Sequence, residues 1–167
     1  MTLSLSTMWA QQERFFDDMH IFAREAAELG YDAIEIAHSL PEAPFERLLT
    51  YPQVPISSIH APAPLSRHNG TTANSSLNLA ALDDAEREAA IAYTKKSIER
   101  TKAAGGRFVV VHLGGVGNAM FDAERELRRL YDSGTRDGEH VEELRAACIK
   151  RRADEAAPWF EQAQTTL

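Results

Sequence analysis

A single cysteine, Cys148, in a chain of 167 residues rules out an intrachain disulfide framework and a Cys-rich zinc site. Such a chain suits a reducing compartment, and the cytoplasm is the expected location. No stretch approaches the roughly 18 consecutive apolar residues of a membrane span, and the N-terminal stretch lacks the basic-then-apolar order of a secretory leader. The sequence reads as neither exported nor membrane-bound. Excess positive charge is absent as well: 18 Lys and Arg against 25 Asp and Glu leave −7, which argues against a nucleic-acid partner held by general attraction to phosphate. Nine glycines and seven prolines mark turns without forming a low-complexity tract, while 44% hydrophobic residues supply a core. One domain spanning residues 1–167 is expected at this length.

Four segments have the pattern of strands. Leu3 to Thr7 alternates apolar and small polar residues, and Asp32 to Ala37, Ile56 to His60 and Arg107 to His112 follow. The last is apolar enough for a parallel strand buried on both faces. Between the first two, Phe15, Phe16, Met19, Phe22, Ala23, Ala26 and Leu29 recur at helical spacing over Gln11 to Leu29, and Gly30 ends that helix. Pro41, Pro44, Pro52 and Pro55 bracket a short helix over Phe45 to Leu49. Residues 63–82 read as a long polar loop of the kind that often forms a lid. Asp83 and Glu86 open a helix that runs to Ala104, where Gly105-Gly106 stops it. A short helix over Phe121 to Tyr131 and a charged helix over Glu139 to Gln164 complete the chain. Strands alternating with helices predict an α/β fold with a parallel sheet and right-handed crossovers.

Glu35, His60 and His112 fall at or near the C-terminal ends of their strands, where active sites of parallel α/β proteins form. Ser58 and His60 share one face of the third strand, and Phe108, Val110 and His112 one face of the fourth. If those strands are neighbours the two imidazoles converge, and such a pair suits zinc, iron or manganese once carboxylates complete the shell. Glu35 is either an inward carboxylate, hence the candidate acid/base, or a solvated or salt-bridged one. His38 reads as a loop residue, and His20, His68 and His140 as surface residues. Trp9, just after the first strand, is a candidate for stacking on a sugar or base; Trp159 reads as packing. Gly114-Gly115-Val116-Gly117 reads as a flexible turn, since it lacks the spaced glycine fingerprint and a following lysine. Cys148 has no partner histidine pattern that would make it a nucleophile.

Ser58-Ile59-His60-Ala61-Pro62, Val109-Val110-Val111-His112-Leu113-Gly114, and the run from Ala26 to Ile36 resemble the xylose isomerase-like TIM-barrel superfamily. That superfamily includes sugar phosphate isomerases and epimerases and endonuclease IV-type AP endonucleases. The resemblance implies a divalent metal (zinc, manganese, magnesium or cobalt) at the C-terminal mouth of the barrel and a sugar or sugar phosphate as partner. By resemblance to the endonuclease IV branch, His60 and His112 are metal ligands. By resemblance to the isomerases and epimerases, whose ligands come from strands five to eight, they line the substrate pocket.

A complete barrel needs about 250 residues and eight strands, so the expectation is a half barrel, the N-terminal portion of a metal-dependent isomerase or epimerase. An endonuclease IV-like hydrolase and a non-catalytic half-barrel module are the alternatives. The exposed edges of a half barrel invite pairing into a homodimer.

Overall fold

Ser4–Ser6 forms β1, and it lies parallel to β2 (Ala33–Ile36) with Ser4 opposite Ala33 and Ser6 opposite Glu35. The computed structural model describes residues 2–15, 17–51, 53–116 and 120–166. Phe16, Pro52 and Gly117, used above in a helix face, a proline bracket and a glycine turn, lie outside the described residues. Two compact units make up the chain: Met1–Leu79 with Asp84–His112, and Ala80–Asp83 with Leu113–Leu167. No helix among the described residues is long and apolar enough to cross a membrane.

The first unit carries the sheet. Its strands β1, β2, β3 (Ile56–Ala61) and β6 (Phe108–Val111) are all parallel and adjacent in that order. Between them come α1 (Met19–Glu28), α2 (Glu42–Leu49) and α3 (Asp84–Ala103). Ile34, Ile36, Ile56 and Ile59 point to the helical side, where they meet Phe15, Phe22, Phe45 and Leu48 in one buried core. Burying each such side chain contributes roughly 1.5–3 kcal/mol, so this core is where the unit gains its stability. On the other side of the sheet, Ser4, Glu35, Ser57, Ser58 and Phe108 line an open recess of about 460 Å³. Among the described residues no strand covers the outer edge of β1 or β6. Phe108, 61% exposed, stands on that open face.

Three local differences from the sequence expectation have identifiable causes. The first helix does not start at Gln11: Glu13–Phe15 is a 3₁₀ turn, and α1 begins only after Asp18. Asp18 adopts an extended backbone and its Oδ1 accepts from the His20 N–H at 2.9 Å, the cap geometry an aspartate favours over a helix interior. The second helix starts earlier than Phe45, because Pro41 occupies its cap and Pro44 its first turn, where an N–H has no intrahelical acceptor. The polar stretch over 63–82 is not a plain loop. Arg67–His68 (β4) and Thr72–Ala73 (β5) form an antiparallel hairpin, with Asn69 (φ 49°) and Gly70 (φ 74°) in its turn. That Asn-Gly pair is the standard hairpin signal. Asn74, 1% exposed, holds the hairpin down by accepting from the Ser66 N–H and donating to the Pro64 carbonyl.

In the second unit α4 (Asp122–Asp132) packs on α5 (Glu139–Thr166). Arg152 donates two hydrogen bonds to Glu124, at 2.6 and 2.7 Å, and Arg151 lies over the Phe121 ring at 4.4 Å. Phe121 and Val141 are the buried apolar residues of this hairpin.

Candidate functional site

Period-2 geometry and one irregularity place the site. Ile34 pairs with Ile56 and Glu35 with Ser58, so Ser57 is an extra residue that bulges β3. Beyond the bulge Ser58 and His60 turn away from the core, while Ile59 stays in it. The Ser58 hydroxyl donates to Glu35 Oε2 at 3.0 Å, which fixes the carboxylate on the open face of the sheet. Glu35 is the inward carboxylate, half-buried rather than fully solvated.

His60 pairs with Val110 in the β3/β6 register, and His112 follows β6 on the same face. Their rings stack at 4.7 Å between centroids and 28° between planes. The expected convergence of these two residues is therefore present. A third imidazole joins them: His38 stands edge to face with His60 at 5.1 Å. The sequence assigns His38 to a loop beyond the second strand, and it lies there: β2 ends at Ile36, and a turn over residues 37–40 follows, closed by the Leu40 N–H on the Ala37 carbonyl. A loop position alone gives no ring direction, so the pattern does not place His38 beside His60. Thr7, 1% exposed, fixes the turn. Its hydroxyl accepts from the Ala37 N–H at 2.8 Å, while its own N–H donates to the Glu35 carbonyl.

Two nitrogens in this cluster, His38 Nδ1 and His60 Nε2, are buried without a hydrogen-bond partner among the described residues. A buried polar atom without a partner calls for an explanation, because leaving one unsatisfied costs about 1–3 kcal/mol. The His60 imidazole titrates below its ordinary value of 6.5: burial disfavours the cation first, then the neighbouring His112 and His38, with Glu35 opposing. A neutral imidazole is the form that ligates metals and accepts hydrogen bonds.

The divalent metal implied by the resemblance can be tested against these residues. Two imidazoles sharing one zinc at Zn–N distances of about 2.0–2.1 Å have ring centroids roughly 5 Å apart, and both observed spacings agree with this. In donor type, in spacing and in their unpartnered nitrogens, the histidines fit. Among the described residues, no three His, Cys, Asp or Glu side chains are already gathered as a set that could hold the ion. What is present is imidazole pairs with an adjacent carboxylate.

The other candidates lie elsewhere. Trp9 packs against Phe15 and Phe22 at 5.4 and 6.1 Å, with the Arg14 guanidinium over its ring. These are its ring contacts among the described residues, and they tie it to the core side. His20 is tethered between helices by hydrogen bonds to the Arg47 carbonyl and the Thr50 hydroxyl, both 2.9 Å. In the second unit Gly114 and Gly115 border an apolar cleft of about 330 Å³ with Trp159 and Phe160. Among the described residues that line it there is no Lys or Arg. The Cys148 thiol is pushed up by burial and by Glu124, against the pull of Arg152, which leaves it a poor nucleophile.

Comparison with known families matches the family described as xylose isomerase-like TIM barrel over residues 23–166. Comparisons with curated proteins and with solved structures returned no match. The parallel order β1-β2-β3-β6, with helices between the strands, is the sheet of a partial barrel of that kind. Matched over most of its length, the chain belongs to the xylose isomerase-like TIM barrel family.

Proposed function

We propose that this chain carries the early-strand share of a metal-dependent sugar or sugar phosphate isomerase or epimerase site. The observation that carries the reading is the inward Glu35 carboxylate, hydrogen-bonded by Ser58 on the sheet face that also holds the imidazole cluster. A divalent ion bound at His60 and His112 would polarise a sugar carbonyl and its neighbouring hydroxyl. Glu35 holds its orientation through Oε2, and Oε1 has no hydrogen-bond donor among the described residues. That oxygen takes the proton from the carbon beside the carbonyl and returns it to the adjacent carbon on the same face, while the hydroxyl proton passes from one oxygen to the other; the outcome is isomerisation. Epimerisation requires in addition a second proton donor on the opposite face of the sugar. His60, kept neutral by burial, is available as ligand or as acceptor for a sugar hydroxyl.

The test is exchange of the carbon-bound proton in D₂O, followed by NMR over a panel of aldoses, ketoses and their phosphates with Mn(II), Co(II) or Mg(II). The expected result is metal-dependent exchange beside the carbonyl that falls about 10²-fold or more in Glu35→Gln, the usual worth of a positioned acid/base. No exchange with any sugar of the panel would refute the reading.

The stacked pair of histidines also supports a second reading, an endonuclease IV-like hydrolase acting on abasic DNA with His60 and His112 as ligands. The net charge of −7 weighs against it. Salt-dependent binding to an abasic duplex, required of such an enzyme, separates the two.

A further inference from the structure

We infer that His38 is a third imidazole ligand of this centre, binding a divalent transition metal through Nδ1 beside His60 Nε2. The inference rests on the reading that His60 and His112 face a metal, and it adds a residue from the turn after β2 that neither the family match nor the sequence pattern supplies.

Three observations carry it. His38 Nδ1 and His60 Nε2 are both buried and without a hydrogen-bond partner among the described residues. A hydrogen bond between the two rings would have satisfied one nitrogen of each, and it is not formed. One electrophile reached by both lone pairs satisfies both at once. Spacing is the second observation: at 5.1 Å between centroids, His38 and His60 match the separation of about 5 Å for two imidazoles on one ion. The third is the way the turn is built. His38 belongs to no strand, and its turn is anchored by the buried Thr7 hydroxyl on the Ala37 N–H and by the Leu40 N–H on the Ala37 carbonyl. The backbone is thus fixed while the ring keeps its rotations about Cα–Cβ and Cβ–Cγ. The donor set is not gathered among the described residues, and rotation of the His38 and His112 rings is the motion that gathers it around His60. Three nitrogens are also the donor set that favours zinc, cobalt or nickel over magnesium, which prefers oxygen. The resulting His₃ centre keeps an open coordination position, as catalytic sites do.

The experiment is titration of the full chain with Co(II) alone, read by visible absorption and calorimetry. Wild type, His38→Ala, His38→Gln, His60→Ala, His112→Ala and the remote control His20→Ala are compared, each checked for folding by circular dichroism. The inference expects one ion per chain in wild type and in His20→Ala. It also expects at least about tenfold weaker binding, with an altered absorption envelope, in both His38 variants, the scale seen when part of a metal's surroundings is removed. Mg(II) should compete poorly.

Binding and spectrum unchanged in both His38 variants would overturn the inference while leaving the reading of His60 and His112 intact, provided their alanine variants lose the ion. Absence of Co(II) binding in wild type would overturn it as well. A His38 effect on binding without proton exchange on any sugar would uphold the inference and sink the isomerase reading.

Discussion

Ser97→Ala should destabilise the sheet-bearing unit far more than the loss of one hydroxyl suggests. Ser97 is fully buried on α3, and its Oγ accepts from the Ala63 N–H at 2.9 Å and donates to the Ala63 carbonyl at 3.1 Å. This two-point clasp ties the segment that follows β3, three residues beyond His60, to the helix covering the sheet. Ala63 is itself 3% exposed, so water does not replace the lost partner. Removing Oγ strands the amide N–H, at about 1–3 kcal/mol, while the carbonyl loses one donor. A cost of about 2 kcal/mol corresponds to a melting midpoint about 4–8 °C lower for a chain of this size. The assay is thermal unfolding followed by Trp9 fluorescence in a Trp159→Phe background, since the two tryptophans belong to different units and only Trp9 reports on this one. A midpoint within about 1 °C of the parent would refute the reasoning, because a shift that small corresponds to well under 1 kcal/mol.

Gly106→Ala should cost about 1–3 kcal/mol by overpacking, because a Cβ there would meet Thr101 Cγ2 at 2.8 Å and the Thr101 carbonyl at 3.3 Å; urea unfolding checks it, and a neutral result would mean that the α3–β6 turn yields easily. The metal-free chain should lose stability on acidification: His60 titrates below 6.5 when folded, so the unfolded chain binds the extra proton first. That contribution is complete above about 6.5 and is lost as pH falls through the lowered value. Urea midpoints in EDTA between pH about 7.5 and about 5 should show a slope that His60→Gln reduces, and an equal slope in the variant would contradict the assignment.

Much of this architecture is legible in the chain before any coordinates. Helical spacing of Met19, Phe22, Ala23 and Ala26, and the glycine that follows, mark α1 because burying one face dominates everything else that helix does. The run from Phe108 to Val111 identifies its own strand by its β-branched and aromatic residues, but the expected burial on both faces is not met: at the edge of the sheet Phe108 and Val110 are exposed, and Val109 and Val111 are half-buried. What resists reading is decided by local hydrogen bonds that composition does not weigh. Asp18 caps a helix whose apolar pattern begins earlier, and Asn69-Gly70 folds a hairpin inside a stretch that looks structureless. Burial is equally hard to foresee for Ser97 and Asn74. Each is polar, and each is interior only because it satisfies two backbone groups at once.

The site follows the same division, and the bulge at Ser57 shows why. Strict alternation from Ile56 would send Ser58 and His60 into the core and bring Ile59 out onto the open face. Yet Ile56 and Ile59, three apart, both join the one core on the helical side of the sheet, which no unbroken strand allows. One extra residue resolves the conflict, and the spacing Ile-Ser-Ser-Ile is its trace in the sequence. Two serines make the solution inexpensive: the Ser57 hydroxyl donates to the Ile34 carbonyl and accepts from Ser4, while Ser58 takes Glu35. The bulge therefore aligns Glu35 with Ser58 and delivers His60 to the face of His112 in a single step. Hydrophobic burial of two isoleucines thus sets the geometry of the carboxylate and the imidazoles, and the chemistry of the site is fixed by the packing on the opposite side of the sheet.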